Sequence, residues 1–267
     1  MTENWLEEKD DQIVKDHTTY LSFSRINRYL TCPESYRLYY IERLRLKIQK
    51  ANRVFGQLIH LVLAHLFNKT AEPVKFFLEV WDGLAQVELT YGKKESWEKF
   101  RVSGEALLTK FVKEELPRIR SVKAVEKPFK LEITTLDLPI VGIIDLVAAV
   151  DDRDTIVDFK TADKNYTQAD IVLSDQLTTY QLAEPDIEEL AFWVLTKTKK
   201  PKIEWHPTKR DSNRIAEFLS KAGYAVRGIK AGEFYKRSGV HCAWCDFLPV
   251  CLGDKKKVEE TLVRITD

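Results

Sequence analysis

The chain has 267 residues, 44% of them hydrophobic and 31% charged, with a formal net charge of +1. That is the composition of a soluble globular protein with room for a sizeable core, in one large domain or two small ones. It has no apolar run of bilayer-spanning length, and its near-neutral charge confines any nucleic-acid surface to a local patch.

The first twenty residues read as a charged arm. MTENWLEEKDDQ is acidic and lacks an apolar stretch, so no signal peptide is expected and the protein is expected in the cytoplasm, where thiols stay reduced. Ser22 or Ser24 is placed to cap a helix over roughly 25–44 that carries Ile26, Tyr29, Leu30, Tyr36, Tyr39 and Tyr40. Pro33 interrupts or restarts it directly after Cys32. A second helix is expected near 51–68, with Val54, Leu58, Leu61, Val62 and Leu66 at helical spacing. Helical patterns follow near 73–88 and 95–116, and Pro117 stops the latter.

The period then changes. FKLEITTL (129–136), IVGIIDLVAAV (140–150) and TIVDFKTA (155–162) read as strands, with Asp151 and Asp152 supplying the turn between the second and third. A helix near 174–184, strands at 189–196 and 202–206, a charged helix over 211–230 and a cysteine-rich tail complete the chain. The expected fold class is α/β, a central mixed sheet flanked by helices.

The chemistry concentrates in GIIDLVAAVDDRDTIVDFKTAD (142–163). Asp145 interrupts an apolar strand, and Asp158 and Lys160 stand at i and i+2 on the next, so both face one side. A hairpin would bring Asp145 beside Asp158. Two carboxylates at one point repel unless a cation lies between them, and oxygen ligands of this kind favour Mg²⁺ or Mn²⁺. Lys160 adds positive charge where a phosphate or an attacking water belongs. On spacing alone the simpler reading is favoured: Asp158 and Lys160 form a surface pair and Asp145 caps a strand end.

Two further pairs accompany this segment: Gly56 with His60 on the second helix, and Gln176 with Tyr180 at i and i+4 after the third strand. The order G-x3-H, strand Asp, D-x-K, Q-x3-Y resembles the RecB-like branch of the PD-(D/E)XK nucleases, across roughly residues 20–252. The resemblance implies a restriction-endonuclease-like core with a helical insertion at 69–120, one nuclease domain over 21–252 and a tail over 253–267. It implies Mg²⁺ or Mn²⁺ held by His60, Asp145, Asp158 and the carbonyl of Phe159, with Lys160 at the attacking water and Gln176 and Tyr180 placing the lysine and the DNA strand. Asp158 stands where many relatives carry Glu. Glu126, expected just before the sheet, is either a supporting acid or, as the favoured reading, an ordinary strand-entry residue, and His65 reads as a surface or packing histidine facing away from His60.

The four cysteines divide one plus three: Cys32, then Cys242, Cys245 and Cys251 in HCAWCDFLPVC. C-x2-C suits zinc or iron–sulfur ligation. The division resembles the iron–sulfur members of the same branch, among them AddB-type subunits, CRISPR adaptation nucleases and stand-alone phage or bacterial exonucleases. That resemblance implies a [4Fe–4S] cluster stapling the N-terminal helix to the tail, with zinc as the alternative.

Basic residues Arg43, Arg45, Lys47, Lys50 and Arg53 lead into the His60 helix and are candidates for DNA contact; KTKKPK (197–202) reads as a charged turn. Tyr36, Tyr39 and Tyr40 are placed either to stack on bases or to pack in the core. The resemblance implies a metal-dependent DNA exonuclease acting without sequence specificity on single strands or duplex ends, in recombination, repair, replication or CRISPR adaptation. The competing class is a DNA-end-binding module of a larger complex. No G-x4-G-K-[ST] signature is present, so a helicase, recombinase or CRISPR integrase partner would be a separate chain.

Overall fold

The structure, a computed structural model, describes residues 19–198 and 200–265. Most of the expected charged arm, Lys199 in the 197–202 stretch and the end of the expected tail lie outside the described residues.

The helix expected over 25–44 is three pieces. Helix α1 (Phe23–Thr31) starts where Ser22 Oγ accepts the Arg25 N–H at 3.2 Å. Cys32 is extended, at φ −160° and ψ 106°, because a residue before proline is pushed out of the helical region. Pro33 then opens α2 (Pro33–Tyr36), which runs into a π-helical turn over Arg37–Ile41. Two short strands follow, β1 (Leu44–Leu46) and β2 (Gln49–Lys50).

Helix α3 (Ala51–Phe67) buries Val54, Phe55, Leu58, Ile59, Val62 and Leu63. Helix α4 (Pro73–Gly83) ends five residues short of the expected 88, and β3 (Leu89–Thr90) leads towards α5 (Trp97–Lys110). Gly104 lets these helices approach closely: a Cβ there would lie 2.0 Å from the Phe77 ring. A π turn over Phe111–Glu115 and a 3₁₀ turn holding Pro117 end the helical region.

The sheet is built from β4 (Ile119–Leu131), β5 (Ile140–Val150), β6 (Arg153–Ala162), β7 (Glu189–Thr196) and β8 (Lys202–Thr208), in that spatial order. The β4–β5, β5–β6 and β7–β8 pairs are antiparallel, and β6–β7 is parallel. The sheet is therefore mixed. Asp151 and Asp152 make the β5–β6 turn with φ of 47° and 65°, the left-handed pair that a tight hairpin demands. The parallel pair needs a crossover, which α6 (Gln168–Val172) and α7 (Asp175–Ala183) provide. The first sheet strand starts ten residues earlier than expected and ends before residues 132–136. It is an edge strand whose Ser121, Lys123 and Lys130 are exposed; such polar edges discourage pairing with other chains and weaken the apolar alternation that announces a strand.

Helices α3, α4 and α5 cover one face of the sheet over Leu146, Val157, Phe159 and Trp193. Ile171 and Leu177, from α6 and α7, cover the other face over Ile144, Ile156, Phe192 and Val194. A third apolar cluster joins α1, the π turn and α8 (Ser212–Lys230) to Phe247 and Leu262 of the tail. The tail itself holds a 3₁₀ turn over Val240–Trp244, α9 (Leu248–Leu252), α10 (Lys255–Thr261) and β9 (Leu262–Arg264), which pairs with β1. No described helix is long and apolar enough to cross a membrane.

Candidate active site

The hairpin β5–β6 and helices α3 and α7 converge on one cavity of about 620 Å³, lined by His60, Asp145, Asp158, Lys160, Gln176 and Tyr180 among others. The strands themselves create the acidic centre. Paired residues run from Val150–Arg153 to Leu146–Val157 and stop there. Beyond that point the Phe159 N–H donates to Asp145 Oδ2 at 3.0 Å. A buried N–H needs a partner, and the Asp145 side chain supplies it where the backbone of β5 does not. Asp145 and Asp158 are only 5% and 1% exposed.

Each oxygen of Asp158 is held. Oδ2 is paired with Lys160 Nζ at 2.7 Å, while Oδ1 accepts from Gln176 Nε2 at 2.7 Å and lies 3.1 Å from the Tyr180 hydroxyl. Gln176 uses both ends of its amide: Oε1 accepts from Lys160 Nζ at 2.7 Å, and Nε2 also reaches the Tyr180 oxygen at 3.0 Å. The Tyr180 hydroxyl lies 3.0 Å from the Ile143 carbonyl. Its one proton serves either that carbonyl or Asp158.

Burial, opposed by Lys160 and reinforced by Asp145, raises the pKa of Asp158. For Lys160, burial works to lower the pKa, but the adjacent Asp158 overcomes it and the net shift is upward. Burial and the two aspartates hold the Tyr180 phenol far above its ordinary value. The lysine is therefore a cation and the tyrosine a neutral hydrogen-bonding group.

His60 Nδ1 lies 3.1 Å from Asp145 Oδ2, yet it is buried without the alignment of a hydrogen bond. One imidazole nitrogen and two buried carboxylates are the donor types that fit a hard divalent cation. Among the described residues, no group of three or more His, Cys, Asp or Glu is arranged to hold a metal ion as it stands.

Glu126 is not an ordinary residue at a strand's start. It lies within β4, between the Val125–Leu146 and Lys127–Ile144 pairs and so beside Asp145, and it lines the cavity. Its φ of 48° is rare for glutamate. Arg28 also lines the cavity, its guanidinium 3.9 Å from the centre of the Tyr39 ring. No local sequence signal announces the placement of Arg28. Gly142 permits Phe129 to cross β5: a Cβ would lie 2.6 Å from that ring.

Of the five basic candidates, Arg53 lines the cavity. Arg45 stacks 3.4 Å from the centre of the Tyr39 ring, Lys47 donates to the Glu259 carbonyl, and Lys50 pairs with Asp246 at 2.5 Å. Those three charges tie the approach to α3 onto the core and tail. Arg43 has a left-handed φ of 55° in the connection to β1. Lys197 is no simple turn charge: its side chain is 4% exposed, with Nζ 2.9 Å from Asp163 Oδ1 and 2.5 Å from Asn52 Oδ1. Tyr36, Tyr39 and Tyr40 are buried in the core. His65 faces Thr70, with Nδ1 2.7 Å from its hydroxyl, and packs on Phe76.

The four thiols are free, Cys32 buried and the other three partly so, and among the described residues no three of them are arranged to hold a metal ion. Burial, Asp246 and the charges of Cys32 and Cys242 raise the Cys245 pKa; burial raises Cys251, with Cys245 and Cys32 contributing. Backbone bonds draw their segments together, Glu34 N–H to the Tyr235 carbonyl at 3.0 Å among them. Four sulfur donors are the set for either an iron–sulfur cluster or zinc.

No curated protein matches the chain. Among solved structures, it resembles the "Putative exonuclease" of Eubacterium rectale with TM-score 0.56 and 14% identity over 90% of each chain, a likeness of fold. The structure named SSO0001 aligns over 94% of this chain and 96% of its own at 14% identity and TM-score 0.47, too low to carry an argument. The profile described as the PD-(D/E)XK nuclease superfamily matches residues 20–252. With a match over most of its length and a mixed sheet flanked by helices, the chain belongs to the PD-(D/E)XK nuclease superfamily.

Proposed function

We propose that the protein is a metal-dependent DNA exonuclease, one nuclease domain over residues 21–252. The observation that carries this reading is the fixed Lys160: a cation pinned between Asp158 and Gln176, in a cavity shared with Asp145 and His60. His60, Asp145, Asp158 and the Phe159 carbonyl would hold Mg²⁺ or Mn²⁺. When bound, such a cation supplies Lewis-acid polarisation of the scissile phosphate. Lys160 orients the attacking water and stabilises the charge that develops on phosphate oxygens. Water adds to phosphorus, a bridging P–O bond breaks, and the departing oxygen takes up a proton. Gln176 and Tyr180 keep Asp158 and Lys160 aligned between turnovers. Arg53 faces the strand's phosphates as it enters.

The exonuclease mode is what the resemblance to RecB-like nucleases implies, and it agrees with the name of the Eubacterium rectale structure. Cys32, Cys242, Cys245 and Cys251 would ligate a [4Fe–4S] cluster that fastens α1 to the tail; iron and zinc analysis of anaerobically purified protein decides between cluster and zinc. The enzymatic reading is tested with end-labelled linear DNA and covalently closed single-stranded circles in Mn²⁺. Shortening of linear DNA with intact circles is expected. Cut circles would identify an endonuclease, and intact linear DNA would overturn the assignment.

A further inference from the structure

Arg210 lies in the connection between β8 and α8, outside the cavity and outside every motif discussed above. Its half-buried guanidinium makes five hydrogen bonds. Nε donates to Thr178 Oγ1 at 3.0 Å. One terminal nitrogen donates to Thr208 Oγ1 at 2.9 Å and the Lys209 carbonyl at 3.2 Å. The other donates to the carbonyls of Ile171 at 2.9 Å and Ser174 at 3.1 Å. Guanidinium has five N–H donors, and the structure offers an acceptor for each.

Those acceptors have one thing in common: they fix the start of α7 to the end of β8. Ile171 lies in α6, Ser174 is the N-cap of α7, and Thr178 sits in its first turns. The Thr178 hydroxyl in turn donates to the Ser174 carbonyl at 3.2 Å. Thr178 is two residues from both Gln176 and Tyr180, about 200° around a helix. Arg210 therefore grips the face of α7 opposite to the one that holds Asp158 and Lys160. The same guanidinium meets the last turn of α6 through the Ile171 carbonyl, so it ties the end of α6 and the start of α7 to β8 at one point.

We infer that Arg210 is a positioning residue of the site, acting through α7 to hold Gln176 where it aligns Lys160. The inference rests on the nuclease reading and extends it to a residue that touches neither substrate nor metal. Lysine cannot replace it, because one ammonium cannot address acceptors spread over Thr178, Thr208 and three backbone carbonyls in a planar fork.

The test is a cycle of Arg210→Lys and Gln176→Ala, scored by kcat and KM on single-stranded DNA with Mn²⁺. Arg210→Lys is expected to lower kcat on the order of ten- to a hundred-fold, with KM little changed, as misplacement of a positioned group does. In the Gln176→Ala background the same change should cost less than about twofold, because its target is gone. Equal fold losses in both backgrounds would overturn the inference and leave Arg210 a fold-stabilising residue. Thr178→Val removes the Nε acceptor together with the Thr178–Ser174 bond and should move kcat the same way; no change there counts against the proposal. Amide exchange gives a readout independent of activity: in Arg210→Lys, α7 should exchange about tenfold faster while α3 stays unchanged. Wild-type protein that cuts no DNA would defeat the nuclease reading alone, and α7 exchange would still decide the role of Arg210, unchanged rates refuting it.

Discussion

Gly142→Ala tests the packing that supports the site. In β5, Gly142 is paired with Phe129 of β4, whose ring crosses it. An added Cβ would lie 2.6 Å from Phe129 Cζ and 2.8 Å from Cε1, against roughly 3.5–4.0 Å for ordinary carbon contacts. The ring cannot simply swing aside, since its other neighbour is Tyr180, edge-on at 6.0 Å. Overpacking of this kind costs about 1–3 kcal/mol. In a chain of this size that lowers Tm by roughly 2–12 °C. The displaced ring also presses on Tyr180 and hence on Asp158, so DNA cleavage should slow as well. Thermal melts of Gly142→Ala, alone and combined with Phe129→Ala, measure the effect. The glycine substitution should cost less once the ring is removed. Gly83→Ala is the control, because nothing lies within 4 Å of a Cβ there. A Gly142→Ala melt within about 1 °C of wild type, or a penalty unchanged by Phe129→Ala, would refute the reasoning.

Tyr180→Phe removes the one hydroxyl proton shared between the Ile143 carbonyl and Asp158 Oδ1, which keeps the Gln176 amide, and should destabilise the protein by about 0.5–1.5 kcal/mol in urea titration; an unchanged midpoint contradicts it. Mn²⁺ should raise Tm at neutral pH, by the equivalent of about 2.7 kcal/mol at a hundred times its Kd, and Asp145→Asn should abolish the rise. Because the Asp158 pKa is raised, its carboxyl takes up a proton early as pH falls. The Mn²⁺ shift should therefore be present above that pKa and fade as pH drops through it, sooner than an ordinary carboxylate would dictate; a shift constant down to acid pH counts against Asp158 as a ligand. Cys32→Ser should lower the bound iron of anaerobically purified protein and speed proteolysis of the tail, and loss of zinc instead would identify the other metal.

Much of this was legible from residue order. Strand β7 and the hairpin β5–β6 follow from dense β-branched runs and the Asp-Asp turn, and α7 from its cap and spacing. The D-x-K and Q-x3-Y pairs meet as expected because strand and helix periodicities fix which side chains share a face. The edge strand β4 was partly hidden by its lysines. For Glu126 the sequence favours the plainer of two readings, because its cavity position depends on a left-handed backbone and on its partner strand. Arg210 escaped because most of its acceptors lie far from it in sequence, two of them backbone carbonyls, while the local TKRDSN reads as a charged turn before a helix. Lys47 and Lys50 read as candidates for DNA contact; their partners, Glu259 and Asp246, lie near the other end of the chain.

The most direct test is digestion of end-labelled single-stranded DNA by wild-type protein and Lys160→Ala, side by side with Mn²⁺ and after matched melting curves. The account predicts a shortening ladder from wild type and a loss of at least about a thousandfold in the variant, since a preorganised charge at the phosphate is removed. Equal cleavage by both proteins would contradict it, for then the lysine at the centre of the site would not be part of the chemistry.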